Sequence, residues 1–207
     1  MEGFYTKLSD PFVLTPPVKD PDGSAYLIQT RINGSGAKVY GGTLEGKVAY
    51  KDKVQLQAGL TLQRSIYDSP EEWSADEEHL SEKERYSDKI LRTPDVYGYF
   101  TATYMPVKAF SIALNGNYTG RMYVPHLLSE VNGEADVLVK SPDFFELGTK
   151  IAYDFDFQGF CLKLHAGVQN IFNSYQNDFD KGASRDSGYI YGPGAPRSYF
   201  AGVKLSF

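Results

Sequence analysis

The sequence predicts an all-β protein, an antiparallel up-and-down transmembrane β-barrel wall, and three observations predict it. Apolar and polar residues alternate over stretches of about 9 to 12 residues, the length and period of a membrane strand. The connections between these stretches are very unequal, and aromatic residues gather at their ends. The composition agrees: 16 tyrosines and 13 phenylalanines against one tryptophan, with 20 glycines and 11 prolines, favour strands and turns over helices.

Taken in chain order, the runs predict about nine strands near 4–13, 25–33, 38–50, 53–67, 94–104, 108–124, 143–155, 160–172 and 197–207. The clearest sets Val54, Leu56, Ala58, Leu60 and Leu62 against Gln55, Gln57, Gly59, Thr61 and Gln63. A second sets Phe110, Ile112 and Leu114 against Ser111, Ala113 and Asn115, continuing to Asn117. Farther on, Phe145, Leu147, Ile151, Tyr153 and Phe155 alternate with Glu146, Gly148, Lys150, Ala152 and Asp154. Phe160, Leu162, Leu164, Ala166 and Val168 then alternate with Cys161, Lys163, His165, Gly167 and Gln169. Charges on the second face of these runs suit a polar lumen better than a packed core.

Short links at 50–53, 105–108 and 156–159 read as tight turns. Between them lie long polar links at about 68–93, 125–142 and 173–196, too long for hairpins in a compact domain. Tight turns at one end and long loops at the other are the asymmetry of an outer-membrane barrel. Tyr50, Tyr67, Tyr104, Tyr118, Tyr123 and Tyr175 fall near strand ends, where an amphipathic ring anchors at the membrane interface.

Several classes are disfavoured. A net charge of -5 without a Lys/Arg run gives no nucleic-acid footprint. Cys161 is the single cysteine, so it has no internal disulfide partner. A mean hydropathy of -0.38, without an apolar run of about 18 residues, excludes a spanning helix but not a barrel, whose strands average near neutral. The start MEGFYTKLSD lacks the basic and apolar regions of a signal peptide. An odd strand count, in a class that closes with even numbers, predicts part of a larger barrel.

The last run sets Ala201, Val203, Leu205 and Phe207 against Phe200, Gly202, Lys204 and Ser206. Its aromatic end, Phe207, looks like the signal read by the barrel-assembly machinery. Before it come Val168-Gln169-Asn170-Ile171-Phe172-Asn173-Ser174-Tyr175, a polar loop, and Tyr191-Gly192-Pro193-Gly194-Ala195-Pro196-Arg197. This order resembles the closing hairpin of TonB-dependent receptors. Gly3 to Thr6, Gly42 to Glu45, Tyr104 to Pro106 and Asn117 to His126 also look like that family's barrel, so the resemblance covers almost the whole chain. It implies that 1–207 is the C-terminal part of a plugged barrel of about 22 strands, with the plug domain and signal peptide absent.

The resemblance implies further expectations. The parent protein would sit in the outer membrane of a diderm bacterium, contact outer-membrane lipid, and use TonB through the absent plug to import a siderophore, haem, cobalamin or glycan. An accessory surface lipoprotein is a compatible partner; no enzyme activity, cofactor or metal is expected. Arg121 and His126, near an outer strand end, are the candidate ligand contacts. Asp178, Asp180 and Asp186 could offer oxygen ligands to Ca²⁺, but they lack the spacing of an EF-hand loop, and a solvated loop is the preferred reading. His79, His126 and His165 are too scattered to be a ligand set. The competing readings are a passive porin or adhesin-like barrel and a soluble all-β binding module, since a sandwich also alternates.

Overall fold

The computed structural model describes residues 1–23 and 26–207. In chain order the elements are β1 (Glu2–Leu8), β2 (Phe12–Leu14), β3 (Val18–Lys19), β4 (Leu27–Ile28), β5 (Arg31–Asn33), β6 (Ala37–Tyr50), β7 (Val54–Glu72) and β8 (Tyr86–Lys89). They continue with β9 (Val96–Val107), β10 (Phe110–Thr119), β11 (Tyr123–His126), the single-turn helix α1 (Ser129–Asn132), β12 (Val137–Lys140), β13 (Phe144–Phe157), β14 (Phe160–Gln169) and β15 (Ser198–Ser206). The fold is antiparallel β throughout, as the alternation predicts.

One nine-stranded sheet runs in the order β1-β6-β7-β9-β10-β13-β14-β15, with β8 pairing beside β7. Among the described residues β1 and β15 each have one strand neighbour, so the sheet is an open wall. Three tight turns join β6 to β7, β9 to β10 and β13 to β14. Lys51 and Gly159 occupy the left-handed region at two of them, with φ of 50° and 92°. The connections at the other end are all long.

Register fixes which face each side chain takes. Leu44, Leu60 and Gly98 lie opposite one another across β6, β7 and β9; so do Thr43, Thr61 and Tyr97 on the other face. The apolar set continues through Leu114, Ile151, Leu164 and Val203, and the polar set through Asn115, Lys150, His165 and Lys204. Exposure is the reverse of a soluble sheet: Leu44, Leu62 and Val203 are 62, 55 and 65% exposed, whereas Thr61 and Ser65 are buried. Thr43 and Thr61 hydroxyls share a hydrogen bond of 3.0 Å, and Tyr99 donates to Glu45 while accepting from Gln57 at 3.1 Å.

An apolar face without a cover fits a lipid solvent, and a polar opposite face fits a wet or plugged lumen. Tyr40 and Tyr50, both on the apolar face of β6, stand ten residues apart. At about 3.3 Å per residue and a tilt near 40°, they are separated by about 25 Å, the height of a barrel's apolar band. Phe100 on β9 covers its cross-strand partner Gly116 so closely that a Cβ there would collide with the ring. Any side chain at that position would force the Phe100 ring to shift.

Two expectations are corrected. The predicted strand 25–33, whose residue 25 lies outside the described residues, is not a wall strand. Its described part forms β4 and β5, which pair with β3 and β2 as two short ribbons. The physical cause lies in the partners: Pro11, Pro16 and Pro17 flank β2 and have no N–H to donate, so the ladder stops after three residues. Likewise Asp10, at φ 49°, ends β1 before the predicted limit of 13. The ninth strand of the sheet is instead the four-residue β8, inside a link expected to be loop. Eight strands are long, so the odd-count argument loses its premise. Tyr67 is also corrected: alternation puts it on the face of Thr61 and Ser65, away from the interfacial belt.

Candidate ligand site at the loop end of the sheet

Four long connections leave the same end of the wall: β1–β6, β7–β9, β10–β13 and β14–β15. Together they hold the chain's compact apolar cluster, Met122, Val124 and Tyr189, with Val139 and Tyr191 packed against it. The core of this molecule therefore lies in its loops. The β11–β12 hairpin, paired from Tyr123↔Lys140 to His126↔Val137, supplies one wall of that cluster.

Buried carboxylates knit the loops together. Asp136 accepts from Ser74 Oγ at 2.7 Å and from the N–H groups of Leu128 and Ser129 at 2.7 and 2.8 Å. Its own N–H donates to Asp76 Oδ2 at 3.0 Å, so β7–β9 and β10–β13 are joined twice. Burial pushes the Asp76 carboxyl up, but the N–H of Asp136 and His79 together hold it below the usual carboxylate range. His79, with Nδ1 at 2.9 Å from Asp76 Oδ1, is raised above the ordinary histidine value by that hydrogen bond.

The β14–β15 loop is fastened in the same manner. Asp186 accepts from the N–H of Leu127 at 2.9 Å and of Gly188 at 2.7 Å. Asp180 lies 2.9 Å from His126 Nε2 and accepts from Asp186 N–H; the histidine hydrogen bond, helped by that N–H against burial, keeps its carboxyl low. Tyr191 donates to Asp178 at 2.7 Å, and burial and this bond push its phenol up. Arg92 donates to Ile190 O and Gly188 O, each at 2.7 Å, while its N–H bonds Tyr123 O. Of the aspartates considered as calcium ligands, Asp180 and Asp186 thus serve as acceptors across loops and Asp178 within its own, and among the described residues no three-residue His/Cys/Asp/Glu group is placed to hold a metal.

Between this knitted cap and the β2–β5 ribbon lies a cavity of about 650 Å³. Phe12, Leu14 and Pro16 line it from the ribbon; Tyr67, Trp73 and Leu127 line it from the sheet and cap. Its carboxylates are already engaged: Glu71 accepts from Ser35 N–H at 2.6 Å, and Glu72 pairs with Arg85 at 2.6 Å. Such a cavity can hold a ligand by shape, apolar contact and hydrogen bonding. Among the described residues that line it, no nucleophile is paired with a base.

The structure separates the two candidates read from the sequence. His126, largely buried, stacks on Tyr189 with ring centroids 3.8 Å apart and an interplanar angle of 11°. It stands behind the cavity, whose lining includes its neighbours Pro125 and Leu127. Arg121 is exposed, pairs with Asp143 at 3.6 Å, and lines a different, smaller cavity. Phe207 follows β15, is 99% exposed, and lies 6.5 Å from the Phe160 ring. Sequence reasoning missed Asp76, Asp136 and Arg92; the bonds that join Asp136 to Ser74 and Asp76, and Arg92 to Gly188 and Ile190, link residues far apart in sequence, and loops carry no period to reveal them.

Comparison with solved structures agrees with this geometry. A ferric-catecholate import receptor, Fiu, from E. coli in its closed form matches at a TM-score of 0.62 with 18% identity, over 98% of this chain and 24% of that one. A mutant of the ferric enterobactin receptor PfeA from Pseudomonas aeruginosa matches at 0.55 with 15% identity, over 98% of this chain and 27% of that one. The chain shares their fold. It spans about a quarter of the length of either solved chain. No family model matches, and no curated protein matches in sequence.

Proposed function

We propose that residues 1–207 are the C-terminal wall of a TonB-dependent outer-membrane receptor, whose plug is not among them, and that the parent protein imports a scarce nutrient. One observation carries this reading: the sheet exposes its apolar face, lines its opposite face with polar groups, and gathers every long loop over a cavity at one end. Ligand enters from the loop side, and energy reaches the site through the plug. One of the two solved structures is a ferric-catecholate import receptor and the other a ferric enterobactin receptor, which makes a ferric siderophore the first ligand to try. His126 acts at the site by holding Asp180 and Tyr189 behind the cavity wall. Phe207 serves the assembly machinery.

The test is uptake by cells with and without the gene, measured for a ferric catecholate, haem, cobalamin and an oligosaccharide. Loss of uptake of one of them, matched by its loss when TonB is removed, supports the reading. Uptake of all four unchanged on deletion, or import indifferent to TonB, overturns active transport and leaves a passive barrel.

A further inference from the structure

In the β14–β15 loop two phenols face one carboxylate. The Tyr191 hydroxyl donates to Asp178 from a point 2.8 Å from Oδ1 and 2.7 Å from Oδ2, evenly between the two oxygens. The Tyr189 hydroxyl approaches Oδ2 at 3.4 Å, and the two tyrosine rings meet edge to face with centroids 5.2 Å apart. Three side chains thus bring four oxygens together. Among the described residues no lysine, arginine or histidine pairs with Asp178, so its charge is answered there only by phenol hydroxyls.

Tyr189 is the odd member of this group. It is 4% exposed, yet its hydroxyl meets the carboxylate only at 3.4 Å, the outer limit of a hydrogen bond. A buried phenol ordinarily has a closer partner. The ring is held in this pose from behind, where His126 stacks on it at 3.8 Å and places Nε2 2.9 Å from Asp180. Asp178 itself is exposed and Tyr191 half-buried, so an ion can reach the oxygens from solvent. In an octahedral shell with bonds of about 2.0 Å, neighbouring oxygens stand about 2.8 Å apart. The Tyr191 to Asp178 spacings match that edge, and a small turn of Tyr189 brings the third oxygen to it.

We propose that Tyr189, Tyr191 and Asp178 bind a ferric ion directly, as two phenolates and one carboxylate, with water completing the shell. The donor set selects the ion: three hard anionic oxygens balance a trivalent cation, whereas Ca²⁺ favours carboxylates and carbonyls and Zn²⁺ favours imidazole and thiolate. Binding displaces the two phenol protons, which leave to solvent. Burial and the bond to Asp178 push the Tyr191 phenol up, and a cation at this point inverts that balance because its charge dominates the local field. His126 and Asp180 are positioning residues that hold the Tyr189 ring. The lining of the larger cavity reaches Gly188 but not Tyr189, so the site is separate from it and independent of which nutrient is imported.

The experiment titrates the full-length protein in detergent with ferric nitrilotriacetate and reads visible absorption together with proton release. Wild type is expected to develop a phenolate-to-iron charge-transfer band that saturates at one ion per chain, with protons released in step. Tyr191→Phe keeps the ring against Phe144 and removes one donor oxygen, and should remove most of the band. His126→Gln leaves all three donors, so the band should persist while iron binds about tenfold more weakly. Tyr118→Phe, on the wall, should change nothing. Trp73 emission matching wild type shows that a variant's cap is folded; should Tyr191→Phe fail there, Asp178→Asn carries the same expectation. Absence of a band in wild type at saturating ferric nitrilotriacetate, or a band unchanged in both Tyr191→Phe and Asp178→Asn, overturns the site. Uptake by cells is not the readout, so loss of this site leaves the transport reading standing, and failure of transport leaves the site standing.

Discussion

The wall and the cap of this molecule obey opposite rules. In the wall, leucines and valines are exposed while threonine and serine are buried; in the cap, Met122, Val124 and Tyr189 are buried, and buried acids are hydrogen-bonded. The cap follows the logic of a water-soluble domain, where burying apolar area drives packing and each buried carboxylate needs donors. The wall's exposed apolar face matches the proposed lipid setting, where the apolar surface points away from the protein. On the proposed reading one chain folds against two solvents, and the boundary runs along the loop end of the sheet.

The sharpest way to break this comparison is to charge the wall. Leu60 is 45% exposed, so Leu60→Lys would cost almost nothing in a soluble protein. In lipid it should cost about 2–4 kcal/mol, measured as unfolding of the liposome-inserted protein by urea. An unchanged midpoint would put the leucine face in water.

A second change reaches only the cap. Asp136→Ala leaves the Ser74 hydroxyl and the Leu128 and Ser129 N–H groups without their acceptor. The expected local cost is about 3 kcal/mol, read as faster hydrogen exchange at 73–79 and 127–136 with the amides of β13 and β14 unchanged. Arg92→Ala, which frees the carbonyls of Gly188 and Ile190, should loosen the β14–β15 loop by about 1 kcal/mol and raise exchange at 186–191.

The smallest effect is a pH dependence confined to the cap. His79 is raised above its ordinary value, so its contribution is complete below about pH 6.5 and fades as pH rises through the folded value. Asp76 and Asp180 are lowered, so theirs is complete above about pH 4 and is lost as pH falls through their folded values. Protection of the cap amides should therefore peak in mildly acid solution. His79→Ala should flatten the alkaline side and leave the acid side in place.

The sequence made the wall legible because a two-residue period survives any register, and Val54 to Gln63 shows it at every position. It failed at 25–33, where the apolar run is real but prolines in the partner segments cut its ladder short. It was silent about the cap because Asp136 meets Ser74 and Asp186 meets Leu127 across about 60 residues, by contacts that follow no local pattern. Asp178, Asp180 and Asp186 stood out as a cluster, yet their partners Tyr191, His126 and Leu127 could be found only in three dimensions. His126 was singled out for its place near a strand end, and the structure gives it a ring stack and a hydrogen-bond contact with Asp180 at the loop junction.

Trp73 is the chain's single tryptophan, buried in the cap, with its indole N–H donating to Glu84 O at 2.8 Å beside the larger cavity. Its emission consequently samples one place in these 207 residues, free of any tryptophan signal from the wall. Opening of the loops would wet the indole and shift its spectrum to the red without any strand moving. The chain thus carries its own optical gauge of the entrance.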